Sequence, residues 1–475
     1  MSIKISYVEI SEKILFFLLL LSMLLTKDLK AADFPVYSLL LLLAALGWAA
    51  AGFFLNKGAG ISFLPVRYRT DLMVLFAIGY EVAAMIGKLF RDPDKGEIDF
   101  SGNAEALAFA ALYLLISSGM KFRQNYFDMI LYGGLLFETL FLYAHVTGAA
   151  YWKYGELVLK DAGAAAACFL LVCMVGVYQY CTCKDRLRSL FYFAVSAVSF
   201  LALALNRNTI SLWLMAFYFL AVPVLLRPTA RLVKKDMQML FLFGFLLSNM
   251  SLLTNYTGIF VTDIAFSLEH SVYLDLLLAS GGILFFHYWE KIPEGIDLER
   301  LVMRKMRRTY KYLFMVGGIF FTGIVFGADR WTALGEKMPD KIWKSFALPL
   351  VEAVKQSESG FYACFQETGV IAGIFIVMFL VLLMSRMRRN YGMDRPLTGG
   401  LILITIFFMI QLLFYRPAAN TLTVYFVLLL FAAFYREEKS RMVSIRIRGE
   451  TLRRQDGKEL EGKCLEEKGP ERKIE

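Results

Sequence analysis

Three arginines stand where an otherwise apolar chain turns: Arg207 in LNRNTIS, Arg330 in DRWTAL and Arg416 in FYRPAAN. A guanidinium presents a planar fork of donors that fits paired phosphate oxygens. Three such groups on one face would grip a diphosphate, which needs several donors. The local alternatives are a side chain snorkelling to headgroups or capping a helix end for Arg207, and an ion pair with Asp329 for Arg330. Two candidate bases accompany them. Glu358 lies in QSESGFY and His270 in SLEHSVYL, and either side chain can take a proton from a hydroxyl. Their alternatives are a solvated loop carboxylate and a hydrogen-bonded interfacial histidine. Trp331 and Tyr362, with Trp343 and Phe361, offer flat aromatic faces in the stretch that holds Arg330 and Glu358; the local alternative is that they anchor the chain at an interface. Glu81 and Glu138 fall inside apolar runs, IGYEVAAMIG and LLFETLFLY. A carboxylate there is costly and faces a polar interior or pathway, which is a transporter feature.

The elements that must position these residues are read from composition and run length. The chain has 475 residues, 58% of them hydrophobic, against about half in a soluble domain. Apolar runs of about twenty residues mean transmembrane helices. Fourteen such segments are expected: 14–26, 36–55, 70–90, 104–120, 126–146, 161–181, 188–205, 209–226, 237–253, 271–288, 312–327, 366–385, 397–415 and 420–435. Only helices satisfy their own backbone at this length in a bilayer. The expected fold is therefore an all-α polytopic membrane protein with about fourteen helices, twelve at the fewest. With the N-terminus inside, the inward loops hold Lys57/Arg67/Arg69, Lys121/Arg123, Lys184/Arg186/Arg188, Arg227/Arg231/Lys234/Lys235, Arg304/Lys305/Arg307/Arg308 and Arg386/Arg388/Arg389. The positive-inside rule then predicts both termini inside and the long polar stretch 328–365 outside.

The net charge of +10 is read as these inner-face residues, so no nucleic-acid partner is expected. Six scattered cysteines and three histidines give no ligand set at metal spacing, CxC at Cys181/Cys183 included, so no metal and no cofactor are expected. Residues 14–25 lack a following small-x-small cleavage site and read as a first membrane helix. Residues 289–311 are expected as an amphipathic helix on the inner surface. The transmembrane domain spans 1–435. The charged tail 436–475 has few large apolar residues, cannot bury a core and is expected to be disordered or only locally helical.

The arrangement resembles the O-antigen ligase and polysaccharide polymerase family of integral-membrane glycosyltransferases. In that family an outward arginine in a short turn precedes a large outer loop. The loop opens with an arginine and closes on HN-x-Y-L followed by E-x-G-x-x-G. Here Arg207 is similar to the turn arginine, Arg330 to the loop arginine, and ETGVIAG, with Glu367, Gly369 and Gly373, to the closing segment. The likeness spans about 190–390. Glu358 stands where the family has its histidine, NRN replaces SRG, and the HSVYL beginning at His270 lies one outer loop early. The resemblance implies transfer of glycan from an undecaprenyl-diphosphate-linked donor to a sugar hydroxyl at the outer face of a bacterial cytoplasmic membrane. Arg207, Arg330 and Arg416 would bind the diphosphate, and Glu358 or His270 would act as base. Trp331, Trp343, Phe361 and Tyr362 would stack on sugar rings. Donor lipid, acceptor glycan, the bilayer and other polysaccharide-assembly proteins are then the partners. Two alternatives stay open: a flippase for lipid-linked oligosaccharide, or another multi-pass transporter, and a non-catalytic relative of the ligases.

Overall fold

The computed structural model describes residues 13, 16–17, 69–91, 101–118, 122–147, 162–206, 208–226, 228–257, 272–293, 370–391, 395–415, 419–435, 445–447 and 450–452. The chain divides into two units, Met1–Tyr435 and Arg436–Glu475. The regular elements among the first unit's described residues are all helices. Its helices are α1 (Arg69–Arg91), α2 (Ser101–Ser118), α3 (Asn125–Thr147), α4 (Ala162–Thr182), α5 (Arg186–Leu205), α6 (Thr209–Leu225), α7 (Ala230–Thr257), α8 (Val272–Trp289), α9 (Val370–Asn390), α10 (Arg395–Gln411) and α11 (Ala419–Ala433). Each coincides with an apolar run read in the sequence. The runs expected at 36–55 and 312–327, and most of 14–26, lie outside the described residues. So do the stretch 328–365 and all but the first five residues of 289–311.

Among the described residues, three helices are long and apolar enough to cross a membrane, at Arg69–Gly87, Ala165–Thr182 and Arg186–Leu205. They sit in different surroundings. The α4 span is 94% buried and the α1 span 17% buried, so α4 is an axis and α1 a peripheral helix. On α1, Phe76 and Tyr80 point outward, as Leu277 and Ile283 do on α8. A helix that is apolar on every side has to be covered on every side, and α4 is packed by α3, α5, α6, α7, α10 and α11.

Small residues make that crowding possible. The N-terminal half of α4 is AGAAAAC, which lets neighbouring backbones come near. On α3, Gly134 abuts Val172. On α10, Gly400 lies against the ring of Tyr178. Within α4, Gly176 leaves room for Ser196 of α5. Tyrosines in this core spend their hydroxyls on backbone carbonyls: Tyr218 on Met174 at 2.9 Å, Tyr425 on Ala167 at 3.1 Å, Tyr178 on Pro396 at 3.0 Å.

One end of the bundle is basic. The turn from α4 to α5 carries Lys184, Arg186 and Arg188, and the start of α7 carries Arg231, Lys234 and Lys235. Lys235 donates to the carbonyls of Tyr180 and Cys183, both at 2.9 Å, and to Ser189 Oγ at 2.7 Å. Arg231 donates to the Lys184 carbonyl at 3.0 Å. These cations satisfy the carbonyls that the end of α4 leaves open. The same bonds correct the expected start of α7. The apolar run begins at 237, but the helix begins at Ala230, because its first two turns are held by their contacts with α4 and α5. Other helix ends are tied at this face too: Trp289 Nε1 donates to the Ala230 carbonyl at 2.9 Å, and Asn390 Nδ2 to those of Ala432 and Ala433 at 3.1 and 2.7 Å.

In the second unit, β1 (Ile445–Ile447) pairs antiparallel with β2 (Glu450–Leu452), Ile445 facing Leu452. The Ile-Arg-Ile alternation has the two-residue period of a strand rather than the period of a local helix.

The helix packing yields a direct test. Gly400→Leu forces a side chain into the Tyr178 ring and is expected to cost about 1–3 kcal/mol, read as a lower melting temperature of the purified protein in detergent. Gly79→Leu on α1, where nothing lies within 4 Å of the added carbon, is expected to leave the melt unchanged or raise it.

Candidate functional site

The turn between α5 and α6 lies at the end opposite the basic one, and two asparagines build it. Asn206 is the C-cap of α5, its amide N–H bonded to the Ala202 carbonyl at 3.1 Å. Asn208 is the N-cap of α6, its Oδ1 accepting the Ser211 amide at 3.0 Å. A short amide side chain suits the N-cap because its oxygen replaces a missing partner of the first turn. In the chain, Arg207 is the residue between these two caps.

The same turn reaches across the bundle. Ser211 Oγ lies 3.2 Å from Asn208 Oδ1 and 2.6 Å from the hydroxyl of Tyr415. Tyr415 follows the end of α10 and is the immediate chain neighbour of Arg416. Below it, Tyr425 on α11, whose proton goes to the Ala167 carbonyl, has its hydroxyl oxygen 3.4 Å from Gln411 Oε1 and its ring stacked on Phe408 with centroids 3.9 Å apart. The Gln411 amide nitrogen is buried and forms no hydrogen bond of ordinary geometry with another described residue, although it faces the Tyr415 hydroxyl. The result is a buried, uncharged cluster of amides and hydroxyls at the meeting of α4, α6, α10 and α11. It presents oriented dipoles in a low-dielectric setting, where hydrogen bonds count for more than in water.

Arg207, Arg330, Arg416, Glu358, His270, Trp331 and Tyr362 themselves lie outside the described residues. The structure brings together the neighbours of two of them: Asn208 beside Arg207 and Tyr415 beside Arg416. Sequence reasoning passed over Asn208, Ser211, Gln411, Tyr415 and Tyr425. An N-cap signal was present for Asn208, an Asn three residues ahead of a serine at the start of an apolar run. For the Ser211–Tyr415 contact there was none, since 204 residues separate the pair.

The two carboxylates expected inside helices differ. Glu81 on α1 is half-buried. Glu138 on α3 is fully buried, and its Oε2 lies 2.7 Å from Ser199 Oγ. At the basic end, Asp128 accepts Tyr192 Oη at 2.7 Å and Gln179 Nε2 at 3.0 Å.

If the Ser211–Tyr415 bond holds the α6 turn to α10, Ser211→Ala and Tyr415→Phe should each destabilise the purified protein by about 1–2 kcal/mol. The double variant should cost little more than the worse single one. Thermal or denaturant unfolding of the four proteins measures that coupling. Compared with family models, curated proteins and solved structures, the chain matches none of them.

Proposed function

We propose that this chain is a metal-independent membrane glycosyltransferase of the O-antigen ligase and polymerase type. In this reading it has about fourteen transmembrane helices, both termini inside, and sits in a bacterial cytoplasmic membrane. The basic end of the bundle then faces the cytoplasm by the positive-inside rule, and the Asn208–Ser211–Tyr415 cluster faces out. It transfers glycan from an undecaprenyl-diphosphate-linked donor to a hydroxyl of an acceptor glycan.

One observation carries the reading. Asn208 and Tyr415 come from distant parts of the chain and share Ser211 as a hydrogen-bond partner. Each is one peptide unit, about 3.8 Å of backbone, from an arginine that the sequence singled out. That shared partner supports a joint grip by the two neighbouring arginines on a diphosphate, which no single turn could supply.

The chemistry follows from that grip. The base, Glu358 or His270, removes the proton of the acceptor hydroxyl. The oxygen attacks the anomeric carbon of the donor sugar, and the bond to the diphosphate oxygen breaks. Charge grows on the departing diphosphate, and the arginines stabilise it most when it is greatest. Trp331 and Tyr362 stack on the sugars.

Purified protein reconstituted with a polyprenyl-diphosphate oligosaccharide and an acceptor tests this, with product read by gel and mass spectrometry. Arg207→Ala, Arg330→Ala and Arg416→Ala are each expected to lower product at least about a hundredfold, with the protein still inserted. Glu358→Gln should do the same if Glu358 is the base. Wild-type yields from both Arg207→Ala and Arg330→Ala sink the proposal. Donor that crosses the bilayer without forming product selects the flippase reading, which the buried carboxyl of Glu138 favours.

A further inference from the structure

We propose that Glu138 is an intramembrane proton-binding site, filled from the basic end of the bundle along a hydroxyl face of α5. The inference stands apart from the transferase reading and rests on different residues.

Glu138 lies thirteen residues into α3, roughly 20 Å from its start, and is fully buried. Its Oε1 has no hydrogen-bond partner among the described residues, and its Oε2 has Ser199 Oγ alone, at 2.7 Å. Ser199 Oγ is also 3.0 Å from the carbonyl of Val195. A serine hydroxyl has one proton and so donates to one of these acceptors at a time. When Glu138 is charged, the hydroxyl turns to Oε2, and the other carboxylate oxygen is left bare in an apolar interior, which is costly. When Glu138 carries a proton on Oε2, it donates to Ser199 Oγ, and the serine proton goes to Val195. Both short contacts then have a donor, and only a neutral carbonyl oxygen lacks a partner. The groups that face Glu138 from the packed helices are Ser199 of α5 and Cys168 and Cys173 of α4. No lysine, arginine or histidine among the described residues supplies a counter-charge. A proton is the one cation this geometry accommodates without a further ligand.

The route is set by helical spacing. Tyr192, Ser196 and Ser199 stand at positions i, i+4 and i+7 of α5 and so share one face, and all three are buried. They cover about 10 Å along the axis. At the basic end, Tyr192 Oη donates to Asp128 Oδ1 at 2.7 Å, and Asp128 is only half-buried. At the deep end, Ser199 meets Glu138. Ser196 sits midway, beneath Gly176, where a Cβ would lie 2.6 Å from its oxygen. Ser196 and Ser199 rest with their hydroxyls on the carbonyls of Tyr192 and Val195, at 2.8 and 3.0 Å. A proton that Asp128 takes from solution therefore moves inward as each hydroxyl turns from its carbonyl, and the Glu138 carboxylate becomes a carboxylic acid. One proton is taken up, and no other bond changes.

Infrared spectroscopy of the full-length protein in liposomes tests this. The wild-type minus Glu138→Gln difference should contain a protonated carboxyl C=O band that shifts in D2O. Any contribution from Asp236, also buried, cancels in that difference. A carboxylate pair of bands in its place overturns the proposal. Tyr192→Phe combined with Ser196→Ala should keep the band and slow its exchange with D2O at least tenfold; an unchanged rate overturns the route. If Glu138→Gln does not fold, Ser199→Ala serves instead. It should move the band to higher frequency by removing the acceptor, and an unmoved band overturns the assignment.

Discussion

Six of the described helices crowd onto α4, and the rest of the described structure depends on that contact. In an apolar surround there is no hydrophobic force between helices, so association rests on close van der Waals packing and on polar groups that find partners. The Ala-rich half of α4 and the glycines at 134, 176 and 400 supply the first. Tyrosine hydroxyls spent on backbone carbonyls supply the second. The axis sets which helix ends meet, and so which polar side chains are neighbours.

The two ends of the axis solve the same problem with different chemistry. At the basic end, Lys235 and Arg231 donate to the open carbonyls at the end of α4, and Asp185 caps α5 by accepting the Leu187 amide. Full charges suffice there because solvent is near. At the other end, the caps are the backbone N–H of Asn206 and the neutral side-chain amide of Asn208, and the link across the bundle is a pair of hydroxyls. A neutral cluster of this kind brings no charge of its own to that end. Between the ends, Glu138 is a group that ionises, placed where no charged partner stands among the described residues.

Helix positions were legible in the amino-acid order because a membrane-length apolar run has one backbone solution. The run at 161–181 became Ala162–Thr182, and that at 209–226 became Thr209–Leu225. Where the apolar signal stopped before the helix did, at α7, the missing turns were held by partners on α4 and α5. The type of residue that could bind a diphosphate was legible as well, since arginine at an apolar turn stands out. What supports those turns was not: Ser211, Tyr415 and Gln411 are unexceptional residues whose role comes from the residues they meet.

The sequence by itself determined that this is a helical, membrane-compatible protein, where most of its helices run, and which residue types stand at their ends. Those properties follow from local periodicity and from the cost of burying an unpaired peptide group. Only the tertiary structure decided that α4 is the axis, that Asn208 and Tyr415 meet through Ser211, and that Glu138 faces a serine and not a cation. Such pairings join residues tens to hundreds of positions apart, and they depend on the direction each side chain takes from its helix, which chain order does not encode locally.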